Sequence, residues 1–333
     1  MNKILIVGYG SIGKRHLENI LLQKNIKIIV CTKRNDLEKL EKKGIIIVNT
    51  INDALLHKPN IAFITNETSY HIKTAIKLAE NGIHLFIEKP LSHSIKDIKK
   101  LEKIVNENKI IVQIGCDHRF HPCIKKIKNI LDSKKLGKII SAYVENSSYL
   151  PDWHPYEDYR KGYAAKKELG GGIALTMIHE LDFLYWFFGD VKKVFSITGK
   201  FSDLEISADD LSMMTLNFNQ NIIVQLHLDY FSRPEFKSCK IKGIDGTVYW
   251  NSDLNEVKIY SQNKKQWKTV LKKEDFKRNS MFIDELKYFL KCVKNKEETF
   301  NSIKDGKKTL QIVLDAKKSS KQGKIIRQNK MTV

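Results

Sequence analysis

Proline is scarce, 6 in 333 residues, and no proline-rich or low-complexity stretch marks a flexible linker or tail. Cysteine is scarcer still. The five residues, Cys31, Cys116, Cys123, Cys239 and Cys292, form no C-x-x-C pair and are odd in number, which argues against a disulfide framework or a zinc site and suits a reducing cytoplasm. Long apolar runs are missing as well: none approaches the roughly 18 residues of a membrane span. Met1-Asn2-Lys3 leads straight into Ile4-Leu5-Ile6-Val7 with no signal-like apolar segment. A soluble cytoplasmic protein with no membrane partner is expected.

Arginine is the last shortage. The formal net charge is +20, and by itself that suggests a nucleic-acid partner. Yet only seven of the 58 basic residues are Arg (15, 34, 119, 160, 233, 278, 327), and the remaining 51 Lys are spread through almost every segment. Readers of nucleic acid lean on Arg and stacked aromatics. Lys125, Lys126 and Lys128 interleave with Ile124, Ile127, Ile130 and Leu131 at helical spacing, as a solvated face over a buried one does. The charge is read as a Lys-rich surface, and no nucleic-acid partner is expected.

What is present is rhythm. Short β-branched runs, Ile4 to Val7, Ile26 to Val30, Ile45 to Val48, Ile61 to Thr65, His84 to Ile87 and Ile110 to Ile114, alternate with amphipathic stretches such as Tyr70 to Asn81 and Ser94 to Asn108. That alternation predicts βαβ units and a doubly wound parallel sheet, a Rossmann-type domain over residues 1–120. Beyond it the spacing changes. Helices are predicted over Pro122 to Ser133, Ile173 to Phe188, Arg278 to Val293 and Asp305 to Ser319. Alternating strands are predicted over Val194 to Lys200, Leu211 to Phe218, Ile222 to Tyr230, Lys237 to Lys242 and Thr247 to Trp250. Short turns between them mean an antiparallel sheet, so residues 121–333 read as an α+β domain built on a large, mostly antiparallel sheet. Its open face calls for a covering, and self-association as a dimer or tetramer is expected.

Gly8-Tyr9-Gly10-Ser11-Ile12-Gly13 is a G-x-G-x-x-G that follows the first strand and opens a helix, the context in which such a loop cradles a dinucleotide pyrophosphate. Gly8 permits the turn, Gly10 close approach of the phosphates, and Gly13 close packing of the helix on the sheet. The second strand ends in Cys31-Thr32-Lys33-Arg34, with no carboxylate before Asp36. A hydroxyl and two cations there suit the 2′-phosphate of NADP, with NAD the second choice; the alternative is that Lys33 and Arg34 are ordinary surface residues.

The fourth strand runs into Thr65-Asn66-Glu67-Thr68-Ser69-Tyr70-His71, and the fifth ends in Glu88-Lys89-Pro90. Further on, Gly170-Gly171-Gly172 is followed by His179-Glu180-Leu181-Asp182 and Trp186-Phe187-Phe188-Gly189. With the glycine loop in front, the chain resembles the Gfo/Idh/MocA family of NAD(P)-dependent oxidoreductases over essentially its whole length. The resemblance implies a second domain whose large sheet covers the nicotinamide. It implies that Lys89 hydrogen-bonds the cofactor and the substrate oxygen, that Pro90 adopts a cis peptide, and that His179 handles the proton. It extends the cofactor set to Ser11, Ile12, Thr65, Asn66, His71 and Glu88. His71 is also read as a residue that caps or packs at a helix start. Arg119, after the sixth strand, lies near the nicotinamide or forms a structural ion pair.

One departure stands out. Many family members carry an Asp four residues before the histidine; here that position is Leu175, with Thr176 three before. The missing acid is replaced by Glu180, Asp182 or a preceding tyrosine, or by nothing. The substrate set is Lys89, Trp153, Tyr156, Tyr159, Arg160, Thr176 and His179. Aromatic faces with neighbouring polar groups in Asp152 to Arg160 suit a sugar ring, and the single Arg suits an appended phosphate or carboxylate; alternatively the aromatics merely pack. This stretch resembles the part of the family tied to nucleotide-sugar, amino-sugar and nonulosonic acid pathways. Hydride transfer at a sugar carbon, with no metal, is the leading expectation. An NAD(P)-dependent glycoside-cleaving reaction on the same fold, and a non-catalytic Rossmann sensor or nucleic-acid-binding protein, are the alternatives.

Overall fold

The computed structural model describes residues 2–35 and 37–328; Asp36 lies outside them. The chain divides into two compact units, Met1–Cys116 with Asn279–Lys307, and Asp117–Arg278 with Lys308–Val333. Residues 279–307, read from sequence as part of the second domain, therefore group with the first. The reason is burial: on the helix Asn279–Asn295, Leu286, Phe289 and Cys292 join Ile4, Ile6, Phe63 and Phe86 in one core cluster. Phe63 and Phe86 stack at 4.7 Å, and Phe289 meets their edges at 5.9 and 5.6 Å. Each such pair contributes about 0.5–1.5 kcal/mol beyond the area it buries.

In the first unit, β1 (Asn2–Val7), β2 (Ile26–Cys31), β3 (Ile46–Val48), β4 (Ile61–Ile64), β5 (His84–Glu88) and β6 (Val112–Gly115) form one sheet in the order β3-β2-β1-β4-β5-β6. Every pairing in it is parallel, as the alternating sequence predicts. Val7 registers with Cys31 on one side and Ile64 on the other, and Ile64 with Ile87. The loops that follow β1, β2, β4 and β5 thus leave from one edge of the sheet, beside the point where strand order reverses. That is where doubly wound folds bind ligands.

In the second unit, β7 (Ile139–Ser147), β8 (Val191–Gly199), β9 (Leu211–Phe218), β10 (Ile223–Asp229), β11 (Phe236–Gly243), β12 (Gly246–Asn251), β13 (Glu256–Ser261), β14 (Gln266–Lys272) and β15 (Ile326–Arg327) make a sheet ordered β14-β13-β12-β11-β7-β10-β9-β8-β15. Its pairings are antiparallel except β7 with β10. The sequence pattern reveals five of these strands and misses β7, β13, β14 and β15. In β7 the buried face carries Ala142, Val144 and Asn146 while Tyr143 lies outside, so its polarity barely alternates. β14 is mostly exposed on both faces and has no alternation to read. The predicted helix over Ile173 to Phe188 is two helices, Ile173–Thr176 and His179–Phe188, broken at Met177 (φ −96°, ψ 43°). Among the described residues, no helix is long and apolar enough to cross a membrane.

Candidate active site

The first unit holds a cradle made of backbone. Gly8 has φ +95°, and a Cβ there would lie 2.6 Å from the Asn66 nitrogen; a Cβ at Gly13 would lie 2.3 Å from the Gly8 oxygen. Both glycines are demanded by the protein's own packing. Gly10 is not: its φ of −78° is open to any residue, and a Cβ on it would meet nothing within 4 Å. The space over Gly10 is open, as a pyrophosphate seated on this loop requires. The helix Ser11–Leu21 begins at Gly10 without a side-chain cap, which leaves its first N–H groups for an anion. Ser11 is exposed and Ile12 half-buried at this first turn.

Thr65 ties the cradle shut. Its hydroxyl donates to the Val7 and Gly8 carbonyls at 3.0 and 2.8 Å. The buried His71 places Nδ1 2.9 Å from the Pro90 oxygen and Nε2 2.9 Å from the Asn66 oxygen, joining the loops after β4 and β5. Burial pushes its pKa down, against the pull of those two carbonyls. His71, carried above in the cofactor set, thus serves here as a loop staple and reads best in its packing role. Glu88 is likewise buried, 2.6 Å from His16 Nε2, and its other oxygen accepts the Lys89 amide at 3.2 Å. It anchors the start of the Lys89 loop from inside. Lys89 is half-buried at the end of β5, and its bond to Pro90 is cis.

At the end of β2 the Thr32 hydroxyl accepts the Arg34 amide at 3.3 Å, and the Arg34 guanidinium donates to the Tyr9 carbonyl at 3.1 Å, reaching back over the glycine loop. Lys33 and Arg34 are exposed. Sequence reading missed Asp53. This carboxylate, on the helix Ile51–Leu56, raises the Cys31 thiol alongside burial and so lies near the end of β2. It accepts from the Thr50 hydroxyl at 2.7 Å, while that hydroxyl's oxygen caps the helix by accepting the Asp53 amide at 3.2 Å.

The second unit gathers side chains. Asp117 and His118 begin the turn Asp117–Phe120 after β6, and His179 begins the helix His179–Phe188. His179 Nδ1 lies 3.3 Å from Asp117 Oδ1, and the His118 and His179 rings stack at 4.4 Å and 22°. His118 Nδ1 lies 3.8 Å from Glu180 Oε1, which also accepts the Asn146 amide at 2.9 Å. The candidates for the missing acid were Glu180, Asp182 or a tyrosine; the acid beside His179 is Asp117. Its signal in the sequence was an acid and a histidine immediately after a strand end. Asp117, His118 and His179 each offer a donor atom, all within 4.8 Å of one another, a set of the kind that suits a divalent cation.

Arg119 takes the structural side of its two readings. Its Nε and Nη2 donate to the two Asp182 oxygens at 2.7 and 2.8 Å, with both side chains 1% exposed, and its guanidinium lies 5.8 Å from the Trp186 ring. Thr176 is buried, and its hydroxyl partly offsets the rise that burial imposes on the Tyr230 phenol. Trp153 donates to Ser148 at 2.9 Å and meets Tyr230 edge-on at 5.3 Å. Tyr156 is 76% exposed. The Tyr159 hydroxyl accepts the Glu205 amide at 3.2 Å. Arg160 is held by Asp158 at 2.8 Å and Glu205 at 3.3 Å, which raise its pKa. The cation expected to meet a substrate anion thus already has two carboxylate partners at the surface.

Residues 2–116 match the model of an oxidoreductase family with an NAD-binding Rossmann fold, and residues 124–249 match the Gfo/Idh/MocA C-terminal domain. A myo-inositol 2-dehydrogenase from Thermotoga maritima is 27% identical, covering 98% of this chain and 98% of its own. A 2,7-anhydro-N-acetylneuraminate hydratase from Escherichia coli is 24% identical over 73% of this chain and 66% of its own. Among solved structures, levoglucosan dehydrogenase in complex with NADH superposes with a TM-score of 0.88 at 16% identity, covering 99% of this chain and 100% of that one.

Proposed function

Because the chain belongs to the Gfo/Idh/MocA family of oxidoreductases, we propose that it is an NAD(P)-dependent dehydrogenase or reductase acting at a carbinol of a sugar- or polyol-type substrate. The observation that carries this reading is the cradle at Gly10, open where the fold itself asks for nothing. A bound nicotinamide dinucleotide supplies the hydride acceptor or donor. Gly8, Gly10, Ser11, Ile12 and Gly13 hold its phosphates. Lys89, on a loop anchored by Glu88 and His71, holds the substrate oxygen, and His179 takes up or returns the hydroxyl proton. Trp153 offers an aromatic face to a sugar ring. Arg160, paired with Asp158 and Glu205, shapes the segment around it.

NADP is the preferred cofactor in this reading, on the strength of Thr32, Lys33 and the Arg34 side chain above the glycine loop. Tryptophan quenching by NADPH and NADH, side by side, tests it. NADPH should bind about tenfold tighter, a preference lost in Arg34→Ala. NADH binding as tightly or more tightly removes the NADP assignment, and binding of neither removes the oxidoreductase reading. With NADP and a panel of polyols that includes myo-inositol, Lys89→Ala should lower kcat about 10²–10⁴-fold.

The likeness to an anhydroneuraminate hydratase favours a second reading, in which oxidation and re-reduction at one carbon drive elimination. Product formation without net NAD(P)H would mark it. A cytoplasmic site of action belongs to the same proposal, since all five thiols are buried and free. So does self-association. Tyr143, Phe195, Ile197, Met213 and Ile223 stand exposed on one face of the second unit's sheet, and a second copy presenting the same face would cover them. Light scattering at micromolar concentration should report a dimer or tetramer; a monomer overturns this.

A further inference from the structure

We propose that Asp117 is the positioning carboxylate of His179: it fixes the imidazole's orientation and proton so that the ring can exchange the substrate proton. The inference rests on the reading above that His179 handles that proton. An imidazole that takes a proton at one nitrogen works best when a carboxylate faces the other, holding the N–H there and stabilising the imidazolium as it forms. This chain has no acid one helical turn before the histidine. Leu175 and Thr176 belong to the preceding helix, and the break at Met177 removes the alignment that would place either residue over His179.

Other carboxylates of the second unit have partners of their own. Asp182 is engaged by the Arg119 guanidinium through both oxygens, and Glu180 accepts from Asn146 and faces His118. Asp229 receives His227 and Ser232, and Asp209 receives Lys317. Among the described residues, Asp117 brings an oxygen within ion-pair distance of His179 Nδ1, at 3.3 Å, just short of hydrogen-bond geometry. It sits deeper than its partner, its side chain 4% exposed against 15% for His179, so the wetter end of the pair is the imidazole. A buried carboxylate is stabilised by a cationic or hydrogen-bonding partner, and the imidazole is in range to be one. His118, stacked on His179, closes one face of the ring and restricts its rotation.

The same three side chains suit a divalent cation by donor type, but their geometry favours the pair. A metal needs the in-plane lone pairs of both imidazoles to meet at one point, whereas rings stacked at 22° aim them along nearly parallel planes.

The test uses the whole protein labelled with ¹⁵N-histidine, the His179 signals being identified by their loss in His179→Asn. His179 should be protonated at Nδ1, and the isosteric Asp117→Asn should shift it toward the Nε2-protonated tautomer. On the most active polyol of the panel, Asp117→Asn should lower kcat about 10²-fold with KM changed less than about twofold. Asp117→Asn/His179→Asn should be no slower than His179→Asn alone, because a residue acting through another adds nothing once that one is gone. Unchanged His179 signals in Asp117→Asn, or losses that add, overturn the role of Asp117 and leave the proton-handling reading standing. Parent-like kcat in His179→Asn overturns both. One equivalent of zinc in the purified protein, with activity removed by chelator and restored by Zn²⁺, overturns the proposal by making the three side chains ligands.

Discussion

The glycine cradle of the first unit and the histidine cluster of the second are built by opposite means. In the cradle, shape comes from backbone: a positive φ at Gly8, a helix pressed against it at Gly13, and a threonine hydroxyl bonded to two carbonyls. Residues 8–13 are consecutive, so the sequence displays the whole device. The histidine cluster joins residues 117–118 to 179–180, more than 60 positions apart, and its geometry exists only after the chain has folded. A contiguous motif announces its chemistry, while a discontinuous one announces only that its parts are present.

The contrast can be broken most sharply at the buried ion pair beside the cluster. Arg119→Met should cost about 3–5 kcal/mol of unfolding free energy, because it strands the Asp182 carboxylate away from water. Urea denaturation would show it; a loss below about 1 kcal/mol would mean that the pair does not hold the second unit together.

Next comes His121, which caps the helix Pro122–Asp132 by accepting the Cys123 amide on Nδ1. Burial first, and then the Lys237 cation, push its pKa from 6.5 down to about 4. The unfolded chain therefore binds a proton before the folded one, and stability falls as pH drops from 6.5 to about 4. The loss is about 3 kcal/mol at about 1.4 kcal/mol per unit. His121→Asn keeps a capping oxygen and removes the titration, so its urea midpoint should vary less over that window.

The two glycines sharpen the comparison from the other side. Gly8→Ala should destabilise by about 1–3 kcal/mol through its positive φ and the collision at Asn66. Gly10→Ala should leave the melting temperature unchanged and weaken dinucleotide binding. Equal melting losses in both would show that the cradle serves the fold alone. The smallest effect belongs to Arg160, exposed and paired with Asp158 and Glu205, where Arg160→Ala should change stability by no more than about 0.5 kcal/mol.

The first sheet was legible almost strand by strand, since a parallel strand buried on both faces reads as an unbroken β-branched run. The second sheet was legible where polarity alternates and lost where it does not, as in β7 and β14. A helix was read through Met177, since the apolar spacing continues across it and nothing in residue type marks the break. The helix Asn279–Asn295 was seen as a helix, but its amphipathic face carries no address. Core cavities accept any apolar face of the right shape, so membership of a unit is decided by packing.

The amino-acid sequence alone determined the Rossmann-type order, the dinucleotide loop, and Lys89 at the mouth of a parallel strand, because each is set by neighbours within a few residues. Tertiary structure alone decided which acid meets His179, which arginine is spent on an ion pair, and that His71 and Glu88 brace the cofactor loops from within. Those choices turn on distances between side chains remote in the chain, and a 3.3 Å approach is a property of the folded chain that no spacing along it encodes.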